Sequence, residues 1–103
     1  MAIILHITTN VEWKASLEKG FYEASSLKDE GFIHCCLDQQ IKGVLDRYFQ
    51  GMKDLVKLEI ETDLLTSPFY YEWSPSVGDT FPHIYGVINI NAIKNAEPIQ
   101  SSK

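Results

Sequence analysis

The stretch from Leu55 to Glu61 constrains the fold more than any other part of the chain. Val56, Leu58 and Ile60 alternate with Lys57, Glu59 and Glu61. A period of two sends the apolar set to one side of a strand and the charged set to the other. A strand with one wet face belongs to an antiparallel sheet, because parallel strands are covered on both faces. A second pattern has the helical period: Ile41, Val44, Leu45, Tyr48 and Phe49 form one apolar stripe. This predicts a structural helix that packs on the sheet, on the face away from the histidines, with Asp38 as its N-cap and Gly51 closing it.

The remaining elements follow from weaker signals. Ile3 to Thr8 is β-branched and reads as a first strand. Thr9 and Glu12 have capping-box spacing, with Glu12 expected to reach back to the Thr9 amide. The short helix that follows carries Trp13 and Leu17 on one face and stops at Gly20. Phe21 to Lys28 is a connection without a clear pattern. Phe32 to Cys36 reads as a second strand, Phe69 to Trp73 as another, Ser74 to Pro82 as a loop, and His83 to Ile90 as the last strand, interrupted at Gly86. Residues 98–103 are expected to be a frayed tail. With 103 residues, the chain is expected to form one domain, residues 1–97, of class α+β with two helices.

Composition narrows the function classes. A hydrophobic fraction of 45% is enough for one core without a disulfide or metal. The formal net charge is −5 and no run of Lys and Arg is present, which disfavours nucleic acid and anionic membranes as partners. No stretch is long and apolar enough to span a bilayer, and the opening residues do not form a signal peptide. The cytoplasm is the default location, and a monomer or weak dimer the default state. The two cysteines, Cys35 and Cys36, are sequence neighbours and do not make a disulfide framework.

Candidate chemistry rests on the three histidines, His6, His34 and His83, each on or at the start of a predicted strand. A single strand histidine is ordinarily a satisfied structural residue; three in this context point to a shared cleft. On alternation, His6 shares a face with Ile4 and Thr8, and His34 with Phe32 and Cys36. Both faces are set against Ile3, Leu5, Ile7, Ile33 and Cys35. Three imidazoles can also hold zinc, but the usual local spacing is missing, so no metal site is assigned. Cys35 and Cys36 read as small buried residues rather than nucleophiles. The aromatic residues Tyr70, Tyr71, Trp73, Phe81 and Tyr85 read as mostly core. Trp73 and Tyr85 are alternatively a flat wall for a ring-shaped ligand. Arg47, the only arginine, falls off the helical stripe and reads as a solvated residue, or alternatively as an anion contact.

Two long motifs, Glu30-Gly31-Phe32-Ile33-His34-Cys35 and Phe81-Pro82-His83-Ile84-Tyr85-Gly86, carry a resemblance. With Leu5-His6-Ile7, Trp13, Ala15, Ser26-Leu27, Gln40, Arg47-Tyr48-Phe49, Gly51, Asp54-Leu55-Val56 and Glu72, the chain resembles the family called domain of unknown function 952 along nearly its whole length. It departs from that pattern at Cys36, where serine is more usual, and at Val87, where proline is common. The family is similar in fold to ADP-ribosyltransferases and RNA 2′-phosphotransferases. The resemblance therefore implies a bent, split, mostly antiparallel sheet gripping NAD or an ADP-ribose derivative. His6 would match a first-strand histidine that holds the nucleotide, and His34 and His83 would line the pocket. Glu72 is the acid nominated to stabilise an oxocarbenium-like centre, against the plain reading of an exposed strand glutamate. Two expectations follow: an ADP-ribosyltransferase-like enzyme with NAD as its possible cofactor, or a non-catalytic module for a nucleotide-like small molecule.

Overall fold

The computed structural model describes residues 2–101. Eight strands and three α-helices alternate as β1 (Ile3–Thr9), α1 (Asn10–Lys19), β2 (Phe21–Tyr22), α2 (Ser25–Glu30), β3 (Ile33–His34), α3 (Ile41–Tyr48), β4 (Leu55–Glu61), β5 (Phe69–Ser74), β6 (Asp79–Ile84), β7 (Ile88–Asn89) and β8 (Ile93–Ile99). The class is α+β, as expected, with three helices rather than two. The strands form two three-stranded antiparallel sheets, β1–β4–β8 and β3–β6–β5, and a two-stranded ribbon, β2–β7.

The alternating segment behaves as its pattern requires. β4 is the middle strand of its sheet, and Val56, Leu58 and Ile60 are buried while Lys57, Glu59 and Glu61 are half-buried. Leu58 and Ile60 join Ile4, Ile33, Ile84, Ile88 and Tyr22 in the main core. Their charged neighbours make cross-strand pairs instead, with Lys57 Nζ 3.0 Å from Glu97 on β8.

Several expectations are corrected. β8 takes in Pro98 and Ile99, the first two residues of the expected tail, of which residues 102–103 lie outside the described ones: Leu55 pairs with Ile99 and Val56 with Pro98. Its Lys94, Asn95 and Glu97 make it look like a coil in sequence, yet it needs only its inner side chains, Ile93 and Ala96, to pack on the core. Proline is tolerated because the strand is an edge. α2 lies inside the stretch that carried no pattern; six residues are too few to show a period. β6 begins at Asp79, within the expected loop, and the chain from β6 to β7 breaks at Gly86, where φ is +151°. A side chain there would strike Ser67, whose hydroxyl donates to the Val87 carbonyl at 2.7 Å.

Helix signals are also partly rewritten. Thr9 caps α1 by accepting the Glu12 amide at 3.2 Å, but the Glu12 carboxylate takes the Thr8 hydroxyl rather than the Thr9 amide. The buried residue of α1 is Ser16, while Leu17 is exposed. Asp38 opens a 3-10 turn, and α3 starts at Ile41. The Gln40 side chain, not Asp38, accepts the Leu37 amide ahead of the helix. The α3 stripe packs with Leu5, Ile7, Cys36 and Leu55, and Leu45 is buried there.

Candidate functional site

The two sheets share the main core, and the backbones of β1 and the β3 segment bridge at one pair. Leu5 and Cys36 exchange both backbone hydrogen bonds, each 2.8 Å long, as an isolated antiparallel bridge. An antiparallel ladder would next set Ile7 opposite His34. That pair does not form. The His34 carbonyl instead accepts from Nδ1 of the His6 ring at 2.5 Å. An imidazole thus stands where a ladder bond would be, and β1 and β3 part around it. A cleft of about 790 Å³ opens there.

All three histidines border this cleft, but they do so differently. His6 is buried, and both of its ring nitrogens are occupied by the protein, Nε2 lying 2.8 Å from the Tyr22 hydroxyl oxygen. Burial pushes its pKa down to about 4, so the ring is neutral at pH 7. Its network continues: the Tyr22 hydroxyl oxygen lies 2.9 Å from Thr8 Oγ1, which lies 3.1 Å from Glu12 Oε1. The Tyr22 hydroxyl is held protonated by burial.

His34 is exposed and His83 half-buried. They are direct partners across β3 and β6, with ring centroids 5.4 Å apart. Phe32 contacts both rings, stacking on His83 at 4.1 Å and meeting His34 edge-on at 4.8 Å. Each imidazole has a carboxylate: His34 Nε2 lies 3.1 Å from Glu30 Oε2, and His83 Nδ1 lies 2.7 Å from Glu72 Oε1. Glu72 Oε1 also accepts the Tyr85 hydroxyl. Hydrogen bonds from Tyr85 and then His83 hold the Glu72 carboxyl below its usual range, and the same contact raises the Tyr85 phenol. An ionised Glu72 accepts Nδ1–H of His83, which leaves Nε2 of the neutral ring as an acceptor.

The expectation that His6 and His34 lie on adjacent strands of one sheet is corrected: β1 and β3 belong to different sheets, linked by the isolated Leu5–Cys36 bridge. The bridge pairs Leu5 with Cys36, which pack together, whereas Ile33 and Cys35 pack with Ile4. By alternation the two imidazoles leave the strand pair on opposite sides. They border one cleft because the cleft lies between the strands. α3 also reaches it, through Val44, Tyr48 and Phe49. Trp73 borders the cleft; Glu72, Tyr85 and Arg47 do not. Tyr70, Tyr71 and Trp73 are 57%, 49% and 64% exposed, so these three are not core, whereas Phe69 on the same strand packs on it. Arg47 borders a separate hollow of about 210 Å³ with Gln40 and Asp79. Sequence reading missed Tyr22, Thr8 and Glu12; the signal was there in Thr8, which falls on the same face of β1 as His6. The Cys35 and Cys36 thiols are raised by burial, Cys36 to about 11, and stay protonated, which leaves them poor nucleophiles. Among the described residues, no group of three His, Cys, Asp or Glu side chains is placed to hold a metal ion, and no helix is long and apolar enough to cross a membrane.

A small α+β domain whose two antiparallel sheets part around a histidine-bordered cleft is the class of protein defined here. A family model described as "Protein of unknown function (DUF952)" matches residues 7–96, and the chain belongs to that family. The crystal structure of protein CC0527 from Caulobacter crescentus is similar to this chain at 26% identity and a TM-score of 0.87, over 96% of this chain and 87% of that one. The solution NMR structure of CC0527 is similar at 27% identity and a TM-score of 0.81, over 97% and 86% of the two chains. No curated protein matches the sequence.

Proposed function

We propose that this domain binds a nucleotide-like small molecule in the cleft between β1 and β3. One observation carries the reading: the only three histidines of the chain all border a single cleft, which is large enough for a ligand of that size. Flat side chains, Phe32 and Trp73, stand on its walls beside the imidazoles. The fold similarity that the family resemblance implies, to ADP-ribosyltransferases, supports the same location by analogy, since a split sheet is where such folds hold NAD.

An enzymatic reading, transfer from NAD or an ADP-ribose derivative, draws on the contact of Glu72 with His83 and Tyr85. Glu72 is not on the cleft wall, so in this reading it is a positioning residue: it fixes His83 with a free Nε2 that would serve as a base. Thermal-shift titration with NAD and ADP-ribose separates the outcomes. A ligand at a hundred times its Kd adds about 2.7 kcal/mol of apparent stability. A shift without nicotinamide release identifies a binding module. Release from NAD that is lost in His83→Gln while the shift persists identifies an NAD-cleaving enzyme, and ADP-ribose found on an added nucleophile rather than free in solution identifies a transferase. No shift with either compound refutes the proposal.

A further inference from the structure

The charge of the cleft says more about its ligand than its shape does. Apart from histidines, the charged side chains on its walls are Glu12 and Glu30, the latter 3.1 Å from His34 Nε2; among the described residues no Lys or Arg borders it. Arg47 comes near it, 5.7 Å from the ring of the wall residue Tyr48. The Arg47 guanidinium lies over Gly43 and beside Asp79, in the separate hollow. Lys57 is paired with Glu97, and Lys19 lies 3.5 Å from Glu23. The thiols of Cys35 and Cys36 are protonated and the His6 ring is neutral, so none of these groups attracts an anion. The amide end of α1 is also closed to one: Thr9 takes the Glu12 amide, and the Glu12 carboxylate occupies the first turn. Aromatic rings meanwhile stand around the space, from Phe32, Tyr48, Phe49, Trp73 and Phe81. Ring faces and carboxylates together favour positive charge, and both disfavour a phosphate.

We propose that the cleft recognises a flat nitrogen heterocycle that is cationic or uncharged, that Glu12 and Glu30 supply this selectivity, and that any phosphate on the ligand stays outside. The inference rests on reading the cleft as the ligand site, and it narrows that reading to one end of the ligand. Glu30 and Glu12 are exposed, so they act at the mouth, where screening weakens them without abolishing them.

Three probes of one ring shape test it by calorimetric or NMR titration at low ionic strength: N1-methylnicotinamide, nicotinamide and nicotinate. The cation is expected to bind at least about tenfold more tightly than the anion, with the neutral amide between them. Glu12→Gln and Glu30→Gln should each narrow that ratio, and the double variant should nearly remove it; far-ultraviolet circular dichroism checks that both still fold. Raising salt to about 1 M should narrow the ratio in the unsubstituted protein. Nicotinate binding as tightly as the cation, or a ratio unchanged in the double variant, overturns the proposal. So does a response to NAD or ADP-ribose with none to the cationic ring, although that result leaves the cleft as the ligand site. No response to any of the five compounds removes both readings.

Discussion

The two three-stranded sheets use their side chains in opposite ways. In β1–β4–β8, Ile4, Leu58 and Ile60 are fully buried, and the open edge β8 is blunted by Lys94, Glu97 and Pro98. In β3–β6–β5, the open edge β5 leaves Tyr70, Tyr71 and Trp73 largely exposed, and Trp73, His34 and His83 border the cleft. The first sheet is mostly buried in β1 and β4. The second keeps rings and ionisable groups within reach of solvent. The molecule thus joins a scaffold sheet, by one backbone bridge and a shared core, to a sheet that exposes polar and aromatic side chains.

Substitutions should separate the two. Leu58→Ala removes a fully buried side chain from the middle strand of the scaffold and is expected to cost about 2–5 kcal/mol. Tyr71→Ala on β5 should cost under about 1 kcal/mol. Urea unfolding measures both, and similar costs would erase the contrast.

Acid should find the scaffold through His6. Its folded pKa of about 4 lies below the ordinary 6.5, so between those values the unfolded chain takes up a proton that the folded chain refuses. Stability from this source is complete above about pH 6.5 and falls as pH drops toward 4, by up to about 3 kcal/mol. The wild-type protein should lose this much relative to His6→Gln over that window, in paired unfolding curves.

At fixed neutral pH the histidines should rank by burial. His6→Ala strands the His34 carbonyl and the Tyr22 hydroxyl and should cost about 1–3 kcal/mol. His34→Ala, which loses an exposed contact with Glu30 and edge contacts with the Phe32 and His83 rings, should cost under about 1 kcal/mol. Equal costs would mean that His34 is as structural as His6. The smallest effect belongs to Glu72. Its carboxyl is held below the usual value, so its contribution is present above about pH 4.5 and disappears as pH falls through the lowered folded value. The stability gap between wild type and Glu72→Gln should be visible at pH 6 and closed in strong acid; a gap that grows on acidification contradicts this.

What the sequence disclosed followed how much of each element is set locally. β4 and α3 declare themselves because one face of each meets the core at a regular period. β8 did not, because an edge strand bears polar residues on its wet side and its pairing with β4 is settled by tertiary context. The histidines were nominated together from the sequence, and their separate surroundings were not visible. His6 is occupied by groups 16 and 28 residues away, and no local pattern encodes that. Glu72 and Tyr85 were nominated singly, whereas the structure joins them to each other and to His83 and leaves them off the cleft wall.

The chain of contacts from the His34 carbonyl through His6, Tyr22 and Thr8 to Glu12 has a consequence that only an inventory of hydrogens reveals. Four contacts link five groups. A neutral imidazole, a phenol, a threonine hydroxyl and an ionised carboxylate bring three hydrogens between them. With Nδ1–H given to the His34 carbonyl, the Tyr22 hydroxyl donating to Thr8 and the Thr8 hydroxyl donating to Glu12, the contact between Nε2 and the Tyr22 oxygen is left without a hydrogen. One further proton, on Nε2, completes all four contacts. The proton that His6 takes up in acid therefore fills the one contact of the chain that lacks a hydrogen, and it turns neither hydroxyl.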